Sequence, residues 1–300
     1  MKNILIPTDF SENAWNAIKY ALQMFNDEKC TFYFLNTYTP ALVSSRFMAA
    51  SFEGGVLSNA ASMLSENGLK EILVKVEDLG PNRKHTYKTI SSFSLLVDEV
   101  MDTVANYDID LVVMGTKGAT GLEEVFMGSN TVRIIKTVKD CPILAIPNTY
   151  EFTRPKEIAF ATNFNRFYTK SELKPLVDMA ASLGAVVRIV YVQYEIKALS
   201  ELQQFNLSML RKYLKDVEHY VHTVSELNSV SKTLEKFSEE LGIHLLALLN
   251  FQHSYLERLT REPVVSRLAF HSKTPLFVIP ELSMATQSRS KSQDEFTFSN

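Results

Sequence analysis

Short apolar runs alternate with helically spaced apolar positions along most of this chain. An opening run at Ile4, Leu5 and Ile6 is followed by Ala14, Ala17, Ile18, Ala21, Leu22 and Phe25, which form one face of a helix. Residues 31–37 are strand-like in composition. A variable stretch over 38–55 follows, and Leu69, Ile72, Leu73 and Val76 mark a second helix. Residues 87–93 read as a short strand, Val97, Val100, Met101 and Val104 as a third helix, and residues 110–114 as the next strand. Strands alternating with helices of this length imply βαβ units and a parallel sheet.

The pattern restarts near residue 157. Residues 157–164 repeat the opening strand and its turn, and Leu173, Leu176, Val177 and Ala180 repeat the first helix, stopped by Gly184 in a C-cap position. Residues 186–192 repeat the second strand. Val230, Leu234, Phe237 and Leu241 form the third helix, ended by Gly242, and residues 245–249 and 274–280 repeat the last two strands. This is a tandem duplication. The expected fold class is α/β, two tandem doubly wound, Rossmann-like domains, each with a mostly parallel five-stranded sheet. The boundaries read as 1–147, a linker over 148–156, and 157–280. Residues 281–300 are polar and Ser-rich without an apolar period, the composition of a disordered tail.

The richest local chemistry follows the apolar run at 111–114. Residues 115–128 hold four of the ten glycines, and Gly128-Ser129 opens the next helix. Glycine lets backbone approach a ligand closely, and the free N–H groups of a helix N-terminus favour an anion. Strand-to-helix loops usually run about 2–6 residues, so this longer one suggests a phosphate cradle from Gly118, Gly128 and Ser129, with Asn130 and Thr131 as further donors. Lys117 is either a point charge over the phosphates or a solvated loop lysine. The second half lacks the cradle. Residues 250–263 contain no glycine, Glu262 and Pro263 stand near the corresponding helix start, and Asn163 replaces Asp9. One site per chain, in the first half, is expected.

The spacing Gly115-x2-Gly118-x9-Gly128-Ser129 resembles the nucleotide-loop signature of the universal stress protein family, in its ATP-binding branch. Residues 4–11, Ile-Leu-Ile-Pro-Thr-Asp-Phe-Ser, resemble that family's first strand and Pro-x-Asp-x-Ser turn, and residues 141–147, Cys-Pro-Ile-Leu-Ala-Ile-Pro, its last strand. The resemblance covers 1–147. It implies ATP or another adenine nucleotide as ligand, with or without Mg²⁺. It also implies Met114 and Gly115 at the ribose, Pro7 and Asp9 on the other side of the nucleoside, and the Thr37 backbone at adenine. Asp9 suits ribose hydroxyls or a metal on the phosphates; its alternative role is a cap for the helix beginning near Ser11. The resemblance further implies that the final strands of the two copies pair, an intramolecular pseudo-dimer that mimics the usual homodimer. A homodimer of the whole chain stays open.

Composition narrows the classes. The 300 residues fit about two domains, and 46% hydrophobic content suffices for their cores. A net charge of −3 offers no basic stripe for nucleic acid. No apolar stretch approaches the roughly 20 residues that span a bilayer. The strand beginning near Ile4 leaves no room for a secretory signal, and Cys30 and Cys141 form no metal or redox spacing; the expected location is the cytoplasm. His219 and His222, three apart on a strand, face opposite ways and do not converge on a metal. No nucleophile elbow or phosphate-loop lysine motif occurs. The expected function is adenine-nucleotide binding in stress response or signalling, with no catalytic residue and at most weak ATPase activity. Two alternatives remain: a nucleotide-free protein-interaction scaffold with a relict loop, and an ATP-hydrolysing enzyme of the adenine nucleotide hydrolase group. The Ser-Gly-Gly-x-Asp-Ser loop of the latter is absent at 7–11.

Overall fold

The central strands carry near-continuous apolar runs because both faces are covered, as parallel sheets require. Ile4 and Ile6 of β1 (Lys2–Pro7) enter one core and Leu5 the other. The same holds in β2 (Cys30–Thr37), where Phe32 and Phe34 alternate with Tyr33 and Leu35. The computed structural model describes residues 1–39, 54–116, 129–250 and 273–280. The remaining strands of the first half are β3 (His85–Ser92), β4 (Leu111–Gly115) and β5 (Ile143–Ile146). Those of the second are β6 (Glu157–Ala161), β7 (Val186–Gln193), β8 (His219–Ser225), β9 (Leu245–Asn250) and β10 (Leu276–Pro280).

All ten strands lie in one sheet, in the order β3-β2-β1-β4-β5-β10-β9-β6-β7-β8. Each half runs in the doubly wound order 3-2-1-4-5, parallel throughout, and the halves meet where β10 runs antiparallel to β5 with Phe277 opposite Leu144. The two halves thus share one continuous sheet. Its two covering cores run through the junction, with Leu144, Ile146, Phe277 and Ile279 on one face and Ile143, Ala145, Leu276 and Val278 on the other.

On the first face lie α1 (Glu12–Met24), α2 (Gly54–Asp78), α5 (Lys170–Leu183) and α6 (Glu201–Tyr213); on the second lie α3 (Leu96–Asn106), α4 (Ser129–Thr137) and α7 (Val230–Leu241). Local signals set the helix ends. Ser11 and Ser229 cap α1 and α7 by accepting the N–H groups of Ala14 and Lys232. Thr169 and Glu172 form a capping box on α5, and Gly184 and Gly242 end α5 and α7 in the left-handed conformation at φ 64° and 62°. Helix α6 has no counterpart among the expected elements, although Ser200 and Gln203 form a second capping box at its start. The segment between the halves is packed and not a free tether. Asn16 Nδ2 donates to the carbonyls of Pro147 (3.2 Å) and Tyr150 (3.0 Å), and Phe152 meets Tyr20 of α1 edge-to-face at 5.1 Å.

Candidate functional site

Because β1 leads into a helix on one face of the sheet and β4 into a helix on the other, the chain parts at the carboxyl ends of these two adjacent strands. Open α/β sheets bind ligands in such a crevice. Pro7 is buried at the end of β1 opposite Leu35, and the Thr8 N–H donates to the Leu35 carbonyl at 2.8 Å. Asp9 follows, exposed, with Oδ1 accepting the Ser11 N–H at 3.1 Å. Phe10 donates its N–H to Thr8 Oγ1 (3.1 Å) and holds φ at 65°. A left-handed Phe carries a strain of roughly 1–2 kcal/mol, which the two side-chain turns offset. Asn36 Nδ2 closes the turn from β2 by donating to the Thr8 carbonyl at 2.7 Å. The helix cap is Ser11; Asp9 instead braces the turn before it.

Across the crevice, Met114 is buried and Gly115 ends β4. A Cβ on Gly115 would come within 2.5 Å of Asn13 Nδ2 and 3.0 Å of the Asn13 carbonyl oxygen, so only glycine lets α1 approach this strand end. Ser129 and Asn130 open α4, exposed, where the first N–H groups lack intrahelical acceptors. Thr131 is buried and its hydroxyl donates to the Gly115 carbonyl at 3.0 Å, tying the helix start to the strand end. Thr37 is half-buried at the end of β2. The fold therefore gathers Pro7, Asp9, Thr37, Met114, Gly115 and Ser129–Thr131 at one edge. Lys117, Gly118 and Gly128 lie outside the described residues, as do residues 251–263 and the tail over 281–300.

The second half reproduces the turn. Phe164 holds φ at 58°, its N–H donates to Thr162 Oγ1 (3.2 Å), and Asn163 Oδ1 accepts the Asn165 N–H (3.1 Å). Asn206 Nδ2 stands in for Asn36, donating to the Phe164 carbonyl at 2.7 Å. The turn thus needs an oxygen acceptor and not a charge, which leaves the charge of Asp9 without a structural reason in the turn. Otherwise the second crevice is differently furnished. Gln203 Nε2 donates to the Asn163 carbonyl (3.0 Å) and to Tyr191 Oη (3.0 Å), and the hydroxyls of Thr162 and Tyr168 are in contact. Burial pushes the Tyr168 phenol up to about 12, so it stays neutral. Strand register puts Leu249 where the first half has Gly115 and Asn250 where it has Thr116; Asn250 Nδ2 donates across the junction to the Ile135 carbonyl of α4 at 2.6 Å.

Sequence reading overlooked Asn36 and Asn206. The signal for the first was available: Asn36 directly follows the apolar run Phe32–Leu35 within the same strand, a position that asks for a hydrogen-bond partner. The histidine pair does not converge. His222 packs edge-to-face on Phe237 of α7 at 5.2 Å, whereas His219 Nδ1 bonds the Val217 carbonyl at 2.8 Å. Among the described residues no three His, Cys, Asp or Glu side chains cluster as metal ligands.

Comparison with known proteins follows the same outline. The universal stress protein family model matches residues 1–147. Universal stress protein MJ0531 of Methanocaldococcus jannaschii is 30% identical over 148 residues, 48% of this chain and 81% of that protein. Universal stress protein MJ0577 of the same organism is 25% identical over 157 residues, 48% of this chain and 94% of that protein. The crystal structure of a universal stress protein from Archaeoglobus fulgidus DSM 4304 superposes with a TM-score of 0.66 at 16% identity, covering 93% of this chain and 96% of that one, a likeness of fold. From the matching segment and its relatives, the chain belongs to the universal stress protein family.

Proposed function

We propose that this chain binds one adenine nucleotide, ATP, in the crevice between β1 and β4, and that it acts in cytoplasmic stress response or signalling through the bound state. The carrying observation is the gathering of Asp9, Thr37, Gly115 and the open end of α4 at one edge of the sheet. Phosphates fit the exposed N–H groups at Ser129 and Asn130 together with the glycine loop before them. Asp9, exposed and not needed as a charge by its own turn, suits ribose hydroxyls or a Mg²⁺ brought in with the phosphates. The second half has Asn163 in place of Asp9 and Leu249 in place of Gly115, and Gln203 donates to the Asn163 carbonyl, which supports a single site in the first half. The boundaries that follow are a nucleotide domain at 1–147, a connecting segment at 148–156 and a degenerate domain at 157–280. The β5–β10 pairing supports reading the two as an intramolecular pseudo-dimer.

Hydrolysis is slow or absent in this reading. Amide donors bind phosphate, but phosphoryl transfer also requires an in-line, oriented nucleophile. Mass spectrometry of small molecules released from the purified chain tests the ligand assignment. An adenine nucleotide near one equivalent supports it. Nucleotide-free protein that also shows no thermal shift with added ATP contradicts it.

A second reading is favoured by one feature of the other half. Phe167 and Phe205 meet edge-to-face at 5.5 Å on its carboxyl edge while remaining 61% and 49% exposed. Exposed aromatic pairs suit a protein contact, so a partner engaged by the second half is compatible with nucleotide binding by the first.

A further inference from the structure

One residue beyond the last paired positions of β2 and β3, Thr37 and Ser92, stand Tyr38 and Phe93. Their ring centroids are 5.6 Å apart at 56°, and the Tyr38 N–H donates to the Ser92 carbonyl at 3.0 Å, which fixes the pair to the strand ends. Phe93 is 56% exposed although sheet and helix cores lie close by. The pair occupies the same edge as the candidate site. In the nucleotide-binding reading above, phosphates at the start of α4 and a ribose at Asp9, just past β1, carry the base on toward β2. One strand separates β2 from β4, so these strand ends stand about 10 Å apart at the usual strand spacing of ~4.8 Å. The aromatic pair borders the far side of that span.

The duplication supplies an internal control. Matching registers place Gln193 where the first half has Tyr38 and Ser225 where it has Phe93. Gln193 spends its amide on its own chain, accepting the Lys197 N–H at 2.9 Å and donating to the Lys197 carbonyl at 3.3 Å. Aromatic rings at these two positions therefore occur in the half with the glycine loop and are replaced by Gln193 and Ser225 in the half without it. Neither ring is demanded by the fold, because the second half builds the same strand ends without them.

We propose that Tyr38 and Phe93 form a stacking platform for the purine base of the nucleotide, an inference that rests on the nucleotide-binding reading above. A base offers a π-face to an aromatic ring whatever its hydrogen-bonding edge, so the platform contributes affinity and orientation. Both residues position the ligand and take no part in chemistry.

The test is calorimetric titration of the full chain and of Phe93→Ala, Tyr38→Ala and Phe93→Trp with ATP and, separately, with inorganic tripolyphosphate. Stacking predicts that each alanine variant loses at least about fivefold in ATP affinity, the lower end of base–aromatic contributions, while tripolyphosphate binding is unchanged. Phe93→Trp should keep ATP affinity, and its indole fluorescence should change with ATP but not with tripolyphosphate, over the constant background of Trp15. Alanine variants that bind ATP like the wild type overturn the platform alone. Equal loss of ATP and tripolyphosphate also overturns it, by showing a general disturbance of the edge. A wild-type chain that binds no ATP overturns the platform together with the reading beneath it.

Discussion

Gly68 sits in the interior of α2, where glycine costs about 1 kcal/mol relative to alanine. The structure gives the reason for tolerating that cost. A Cβ at Gly68 would lie 2.5, 2.6 and 2.7 Å from Cζ, Cε2 and Cε1 of Phe10, the left-handed residue of the turn that carries Asp9. Three ring carbons at that range cannot yield as a single flexible tip would, so the ring or the helix must move. Overpacking of this kind costs about 1–3 kcal/mol. Set against the helix gain of about 1 kcal/mol, Gly68→Ala should destabilise by about 0–2 kcal/mol. In a Phe10→Ala background the clash is gone and only the helix gain remains, so the same substitution should stabilise by about 1 kcal/mol. Urea unfolding of the four proteins measures the coupling as a double-mutant cycle, with an expected value of about 1–3 kcal/mol. A coupling below about 0.5 kcal/mol would mean that Phe10 does not pack on Gly68 and that the turn is not braced by α2.

Other consequences are equally direct. Asp9→Asn should leave unfolding curves unchanged, since Asn163 already makes the same turn, yet weaken ATP binding roughly tenfold through loss of a charge-assisted hydrogen bond; calorimetry and urea unfolding on the same sample check both halves of that statement. Gly118→Val or Gly128→Val should weaken ATP binding by roughly tenfold or more, because a β-branched side chain blocks close approach and disfavours positive φ; normal binding by both variants would remove the phosphate cradle. His222 is held below the usual imidazole range, first by burial and then by the positive charge of Arg188. The unfolded chain therefore takes up the proton first, near pH 6.5, so this contribution is full above that pH and is lost as pH falls through it. His222→Leu should lessen the loss of stability as pH falls below about 6.5, measured by urea unfolding over a pH series, with His244 retaining a share because burial lowers it too.

The sequence made the periodic features plain and hid those that depend on distant contacts. Apolar runs at 4–6 and 111–114 announced buried strands because a doubly covered sheet leaves them no polar face. Gly184 and Gly242 announced helix ends because the left-handed cap penalises a side chain. Helix α6 was missed because Leu202 and Phe205, its most visible apolar residues, are half exposed, leaving a weak stripe that Leu210 alone anchors deeply. Its Ser200–Gln203 box was the available clue. The identity of the cap on α1 needed coordinates, since Asp9 and Ser11 are both good cap residues and only geometry separates them. The reasons for Gly68 and Gly115 were also out of reach, because each answers to a residue far along the chain or on another element. At the site, position along the sheet edge was legible from strand order, whereas the Tyr38–Phe93 pair appears only once β2 and β3 are set side by side.

The central claim is asymmetric: one half of a duplicated sheet holds a nucleotide and the other does not. Isothermal titration of the intact chain with ATP tests it most directly, because stoichiometry counts sites without reference to any variant. The account predicts one ATP per chain, lost when Asp9 and Gly118 are replaced together and retained when Asn163 and Gln203 are. Two comparable sites per chain, or one site that survives the first replacement and disappears with the second, would contradict it.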